Sequence, residues 1–235
     1  VKKAFSDKEL NNKFNLTSAN SINVARWLPQ AFYYFYAVKK LKKKNLVFSV
    51  PSGNFGNICA GIIAMKLGLP IDHFVASTNV NDTIPRYFKS KVLSPKPTIQ
   101  TISNAMDVSN PSNFIRIQEM FENFDTLSSF LSSYSFDDYQ TLEIVKEIYN
   151  NKNYIMDPHG AVGYLGLKKY LKNKPNKIGV FLETAHPIKF SKHIENTIDV
   201  KLKIPKKINK ILSKNKKYID IENYNDFKKK ILNMF

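Results

Sequence analysis

The 235 residues are 43% hydrophobic and 13% aromatic, enough for a sizeable core in one large domain or two small ones, and too apolar for a disordered chain. One cysteine, Cys59, excludes an internal disulfide and fits a reducing, cytoplasmic setting, while Lys66 interrupts the best apolar run, so none is long enough to cross a bilayer. The net charge of +17 invites a polyanion, but the lysines are scattered, with their main concentration in residues 201–217 and a basic hinge at 39–44, and accompany no nucleic-acid recognition motif, so a solvated lysine-rich surface is expected, with no nucleic-acid and no membrane partner.

Residues 1–12 read as the end of a helix or a lead-in, and 15–20 as a polar loop. A broad apolar face at helical spacing over 21–38 predicts a helix, which Pro29 should kink or end early. Residues 46–50 form a β-favouring apolar run that Pro51 ends, because proline has no N–H for a sheet ladder. Six residues with two glycines and two asparagines follow (52–57), and then a helix of small and apolar residues over 58–67. Cys59, just inside that helix, reads as a small buried residue and not as a nucleophile. A second strand is expected over 71–78. Strand, helix and strand joined by short turns predict an α/β fold with an open parallel sheet covered by helices.

Residues 79–109, with Pro85, Pro95 and Pro97, should be irregular with a short hairpin. A helix is expected over 111–121 with Pro111 in its first turn, and another from a cap at Asp137 or Asp138 to about residue 150. The βα pattern resumes at 154–156, before a helix to Leu171, and again at 177–182, before the helix that follows Pro187. The tail from 201 is lysine-rich, with a last amphipathic helix from Tyr224.

The 52–57 loop has the arrangement of an anion site. Glycines let the backbone come close to a ligand, and the first N–H groups of the next helix are unpaired at its positive end. It is neither a dinucleotide fingerprint nor a P-loop, and an ordinary strand-to-helix turn is the alternative. Asn20, Ser21 and Arg26 could hold a second anion; a helix N-cap and a surface ion pair are the plainer readings. Thr184, at a strand end, could give its hydroxyl to a cofactor ring or simply close a turn. With four histidines, one cysteine and no H-E-x-x-H spacing, no metal site is expected.

Six segments in order, NSINVAR (20–26), VPSGNFGN (50–57), TNVNDTIPR (78–86), SNAMDVSNPSN (103–113), DPH (157–159) and TAHPIKF (184–190), together resemble the threonine synthase family across most of the chain. The resemblance implies the fold type II architecture of pyridoxal-phosphate enzymes, like the tryptophan synthase β subunit. It also implies pyridoxal 5'-phosphate as cofactor and conversion of O-phospho-L-homoserine and water to L-threonine and phosphate. Gly53, Asn54, Phe55 and Asn57 then match the loop that cups the cofactor phosphate. Thr184 matches the hydroxyl to the pyridine nitrogen, and Asn20, Ser21 and Arg26 match part of the site for the substrate phosphate. The family's Schiff-base lysine lies in a phenylalanine-lysine-aspartate segment that has no counterpart here, so no catalytic residue is assigned. Residues 1–235 are therefore expected to be the C-terminal portion of such an enzyme, mostly its large cofactor domain, with 201–235 as a lysine-rich tail. The expected partner is the N-terminal portion, and the chain is expected to be inactive alone. A related pyridoxal-phosphate dehydratase and a basic, non-catalytic polyanion-binding module are the alternatives.

Overall fold

The computed structural model describes residues 2–17 and 19–234; Val1, the first residue of the expected lead-in, lies outside them. The chain divides into two compact units, one formed by Asn20–Lys203 and one drawn from the residues before and after it. The latter begins with two short helices, α1 (Lys2–Phe5) and α2 (Lys8–Lys13). Asp7 caps α2 by accepting from the N–H groups of Glu9 and Leu10. It also accepts a hydrogen bond from the Tyr224 hydroxyl (2.8 Å) and pairs with the Lys228 ammonium (2.9 Å) near the C-terminus.

In the central unit a 3-10 turn, Val24–Arg26, leads into α3 (Trp27–Leu41). Pro29 does not break it. It is the third residue of α3, in the first turn, where a backbone N–H has no intrahelical acceptor to lose. The expected βαβ unit follows as β1 (Leu46–Pro51), α4 (Gly56–Lys66) and β2 (Ile71–Thr78). Among the described residues no hairpin forms over 79–109; α5 (Thr83–Ser90) and a 3-10 turn, Asn104–Met106, take its place. Pro85 again sits in a helix's first turn. The next helix, α6 (Phe114–Glu119), begins later than expected. Ser112 gives both its N–H (2.7 Å) and its hydroxyl (2.9 Å) to Asn54 Oδ1, which commits it to the loop contact.

The sequence reading missed α7 (Phe124–Phe130) and β3 (Leu131–Ser135). α8 (Asp138–Lys152) opens with a capping box between Asp137 and Gln140. Residues 154–156 are coil and not a strand. α9 (Pro158–Leu171) and β4 (Ile178–Phe181) follow, then a 3-10 turn, Pro187–Phe190, and α10 (Ser191–Ile198). α11 (Lys206–Leu212) and α12 (Tyr224–Met234) complete the terminal unit, α12 where its amphipathic pattern placed it. No helix among the described residues is long and apolar enough to cross a membrane.

The four strands are parallel, in the order β3-β2-β1-β4. Alternation along β1 decides the two faces. Leu46, Phe48 and Val50 join the core beneath α3 and α4 with Tyr34 and Phe74. Val47 turns the other way, to Leu167 and Tyr170 of α9. A sheet buried on both faces needs such helices on each side. Ser49, on the α9 face, donates to Gly163 O at 2.6 Å and lies 2.9 Å from Ser77 Oγ. β3 escaped notice because it is an edge strand with three serines. Its hydroxyls bond across the ladder, Ser133 to Ala76 O and Ser132 to His73.

Gly61 of α4 is where helix and sheet come closest. A Cβ there would lie 2.6 Å from both Phe74 Cε1 and Tyr34 Cζ. Both rings are fully buried and cannot retreat. Gly61→Ala should therefore destabilise the chain by about 1–3 kcal/mol through overpacking, despite the better helix propensity of alanine. A urea titration would read this as a lower midpoint at an unchanged slope.

Candidate functional site at the switch point of the sheet

From β1 the chain steps to β2 and β3 on one side, and later returns to β4 on the other. The crevice beyond the carboxyl ends of two such strands is where open α/β sheets bind ligands. A cavity of about 840 Å³ opens there. Gly53, Asn54, Phe55 and Asn57 line it after β1, and Thr184 lines it after β4. Ser21 and Arg26 reach it from the segment before α3. Asn20 does not line it. Its Oδ1 accepts from the N–H of Ile22 and the hydroxyl of Ser21, both at 3.2 Å, closing a turn.

The loop after β1 is shaped by its neighbours. A Cβ on Gly53 would stand 2.8 Å from Ala105 O and from Met106 Cα, so only glycine lets these backbones meet. Phe55 holds the left-handed conformation (φ 63°) as N-cap of α4 and gives no side-chain cap. Its ring packs edge-on against Phe114 at 5.7 Å, which anchors the strained residue. The Asn57 side chain donates to Pro51 O (2.8 Å) and accepts from the N–H of Ile58 (3.0 Å), so it braces the loop. Asn54 Nδ2 donates to Ser21 Oγ at 2.7 Å. Among the described residues, no acceptor is seen for the N–H groups of residues 53–57. Five successive donors at the positive end of α4 make an anion nest.

Two residues the sequence reading passed over hold this arrangement together. Asn113, with no exposure, donates to Asn54 O (2.9 Å) and Ser21 O (3.1 Å). Arg116 donates to Asn113 Oδ1 (2.9 Å) and Ile22 O (2.6 Å), with its guanidinium 5.2 Å from the Trp27 ring centre. Asn113 closes one of the matching segments, yet nothing in its spacing shows that its amide bridges two distant loops. Cys59 lies beneath the loop, fully buried, its thiol donating to Asn113 O at 3.7 Å. Burial pushes that thiol up to about 12, which leaves it protonated and unreactive.

The opposite wall carries His159, Glu183, Lys189 and Phe190. Asp157, the N-cap of α9, is wholly buried and accepts from both the N–H (2.9 Å) and Nδ1 (2.7 Å) of His159. Ala105 N–H donates to His159 Nε2 at 3.2 Å, so the ring's proton is on Nδ1 and the ring is neutral.

Comparison with known proteins agrees with this geometry. Residues 160–231 match the family model described as threonine synthase, C-terminal. Over 213 residues the chain is 48% identical to the threonine synthase of Haemophilus influenzae, covering 89% of this chain and 49% of that protein. The crystal structure of Escherichia coli threonine synthase is similar at TM-score 0.83 and 44% identity, over 89% of this chain and 49% of that one. The pyridoxal-phosphate-bound structure from Brucella melitensis reaches TM-score 0.89 at 28% identity, over 99% and 56%. A helix-covered parallel sheet with its cavity at the β1/β4 switch point is, with these neighbours, the core of a fold type II pyridoxal-phosphate enzyme. The chain spans about half the length of the relatives it matches. It belongs to the threonine synthase family, whose C-terminal portion it matches.

Asn113→Ala should cost about 1–3 kcal/mol, because it leaves the part-buried carbonyls of Ser21 and Asn54 without this donor and removes one of the two acceptors of Arg116. Thermal denaturation measures the loss. Amide exchange should show the 52–57 loop opening more often than in the unaltered chain.

Proposed function

We propose that this chain carries the phosphate-binding side of a threonine synthase active site, which converts O-phospho-L-homoserine and water to L-threonine and phosphate with pyridoxal 5'-phosphate. The observation that carries the reading is the nest of N–H groups over residues 53–57, with Gly53 pressed against residues 105–106 to keep it open. These donors would hold the cofactor phosphate without any charged side chain. Asn54 and Asn57 act by fixing the loop, and Phe55 by anchoring its strained turn. The Thr184 hydroxyl, on the β4 side, would meet the pyridine nitrogen. When bound, the cofactor supplies an electron sink for carbanion chemistry at the substrate's α carbon.

Ser21 and Arg26 line the same cavity and suit the substrate's own phosphate through charge-assisted hydrogen bonds, with Asn20 shaping their turn. A second anion position beside the first is what separates this reading from a dehydratase of the same fold, whose substrates carry no phosphate. Residues 1–235 then serve as the C-terminal portion of the enzyme, mostly its large cofactor domain, with 201–235 as a lysine-rich tail. The remaining half of the family chain would contribute the cofactor-holding lysine, and residues 1–235 alone would not turn over. With its one thiol buried and protonated, the protein suits the cytoplasm.

Pyridoxal phosphate should bind this chain and quench its tyrosine and tryptophan fluorescence, with inorganic phosphate competing. Gly53→Ala should weaken binding about tenfold or more, since the loop must shift from residues 105–106. Equal affinity in the two proteins would sink the assignment of the loop. Binding of nucleic acid that falls steeply with salt and ignores Gly53 would favour the polyanion-binding alternative. In the enzyme completed with the other half of the family chain, Arg26→Ala should raise KM for phosphohomoserine about ten- to a hundredfold, the loss of one charge-assisted contact. A lack of threonine formation by that completed enzyme would overturn the reaction itself.

A further inference from the structure

The cavity wall opposite the anion nest holds two carboxyl groups that the proposed reaction does not use. Asp157 is wholly buried, and both contacts from His159 fall on its Oδ1. Its Oδ2 is buried and, among the described residues, accepts from no donor while both acids are ionised. Glu183, just before Thr184, faces the cavity but turns its carboxyl group back over Gly160 in the first turn of α9. A Cβ at Gly160 would overlap Cδ and both oxygens of Glu183, so the glycine is what admits this side chain. That turn is the one Asp157 caps, so the fold brings the Glu183 carboxyl group to the helix end that carries the unpartnered Asp157 Oδ2.

Two carboxylates cannot bond to each other without a proton, and a buried oxygen with no donor costs about 1–3 kcal/mol or more. His159 cannot cancel the Asp157 charge, because its ring is neutral in this hydrogen-bond pattern. The negative charge belongs on Asp157, at the positive end of α9 and bonded to the N–H of His159. The shared proton therefore belongs on Glu183, whose O–H supplies the missing donor to Asp157 Oδ2.

We propose that Asp157 and Glu183 hold one proton between them, so that Glu183 meets the cavity as a neutral acid beside Thr184 and keeps this wall free of negative charge for an anionic cofactor. The role toward the cofactor rests on the reading given above; the carboxyl pair itself does not. Although Glu183 as a residue is open to the cavity and solvent, desolvation of its carboxyl group over α9 first, and then the Asp157 side chain, push it up to about 9, while Asp157 is lowered despite its burial by the bond from His159. The other charged or titratable groups near the pair include Tyr154, raised by burial and by these two acids, and Arg26, Tyr33 and Lys189 on the cavity. Glu183 is a positioning residue in this account.

The sign of the pH effect follows from linkage. A group raised in the folded state binds its proton there while the unfolded chain has lost it. Its contribution to stability is full below about 4.5 and is lost as pH rises toward about 9. Glu183→Gln keeps a donor for Asp157 but cannot ionise. Its melting temperature should thus be at least that of the unaltered chain at pH 8 and should decline less between pH 5 and 9. Glu183→Ala, which leaves Asp157 Oδ2 without a donor, should be the less stable variant at pH 6.

The deciding experiment is a carbon-13 carboxyl NMR titration of the full chain, with the Glu183 signal assigned by its loss in Glu183→Gln. It should titrate near pH 9, and Asp157→Asn should lower the midpoint by about one pH unit or more. A midpoint in the ordinary glutamate range, or one that Asp157→Asn leaves in place, overturns the shared proton. Should Asp157→Asn fail to fold, the melting comparison of Glu183→Gln and Glu183→Ala decides the same point. Pyridoxal phosphate titrated at pH 7.5 and pH 10 tests the role. Affinity should fall about tenfold in the unaltered chain relative to Glu183→Gln, in which titration of the ligand itself cancels. Equal losses in both overturn the role. If pyridoxal phosphate binds neither protein at any pH, the cofactor reading and the role fail together, and the carboxyl titration still decides the pair.

Discussion

The cavity depends on one buried amide. Asn113 joins the carbonyls of Ser21 and Asn54, and Arg116 in turn joins Asn113 to Ile22. These segments are far apart in sequence, and each alone is a turn with no reason to hold its shape. Backbone carbonyls buried without donors are costly, so the amide's geometry fixes where both loops can lie. Gly53 adds the second constraint by bringing the loop against the backbone of residues 105 and 106. The unengaged N–H groups over 53–57 are a consequence. Among the described residues they meet no acceptor, because the loop's carbonyls and side chains are already engaged elsewhere.

The sheet explains why this happens at one end of the molecule's core. β1 is central, flanked by β2 and β4, and the connections leave it in opposite directions. The loops after β1 and β4 must therefore separate above the strands. Gly166, where a Cβ would overlap Ser77 Oγ, lets α9 lie close against β2 and carry His159 and Asp157 to the same crevice. Packing of small residues in α9 thus places acid and imidazole groups opposite the anion nest without any long loop.

How much of this could be read beforehand varies by the kind of signal. β1, the loop, α4 and β2 were legible because an apolar run, two glycines and a second apolar run mark a buried parallel strand pair. The seven positions that line the cavity from the expected set, among them Gly53 and Thr184, were legible because the matching segments fall at the ends of strands and helices. Asn20 was placed in the right turn but not on the cavity. β3 was illegible since its serines replace apolar side chains at an edge, and α5 since two prolines beside it suggested coil. Asn113, Arg116, Asp157 and Glu183 matter through contacts across the fold, which no local pattern encodes. Glu183 in particular depends on the missing side chain of Gly160, more than twenty positions away in the sequence.

The charge of the chain has little to do with this site. Of 36 basic residues, the cavity lining includes Arg26 and Lys189. Elsewhere lysines serve local purposes: Lys228 pairs with Asp7 and Glu9 in the terminal unit, and Lys174 lies 3.9 Å from the Tyr170 ring centre. The bond from Lys228, with that from Tyr224, holds Asp7 down at about 2, so the contact between α12 and the cap of α2 survives mild acid. An anion nest made of backbone N–H groups needs no lysine, since partial charges fixed by the fold act without side-chain entropy to lose. A neutral Glu183 on the facing wall serves the same end by withholding a negative charge. On the proposed reading, selectivity for a phosphate-bearing ligand arises from geometry and proton placement, while the excess of lysine on the surface acts at most on encounter.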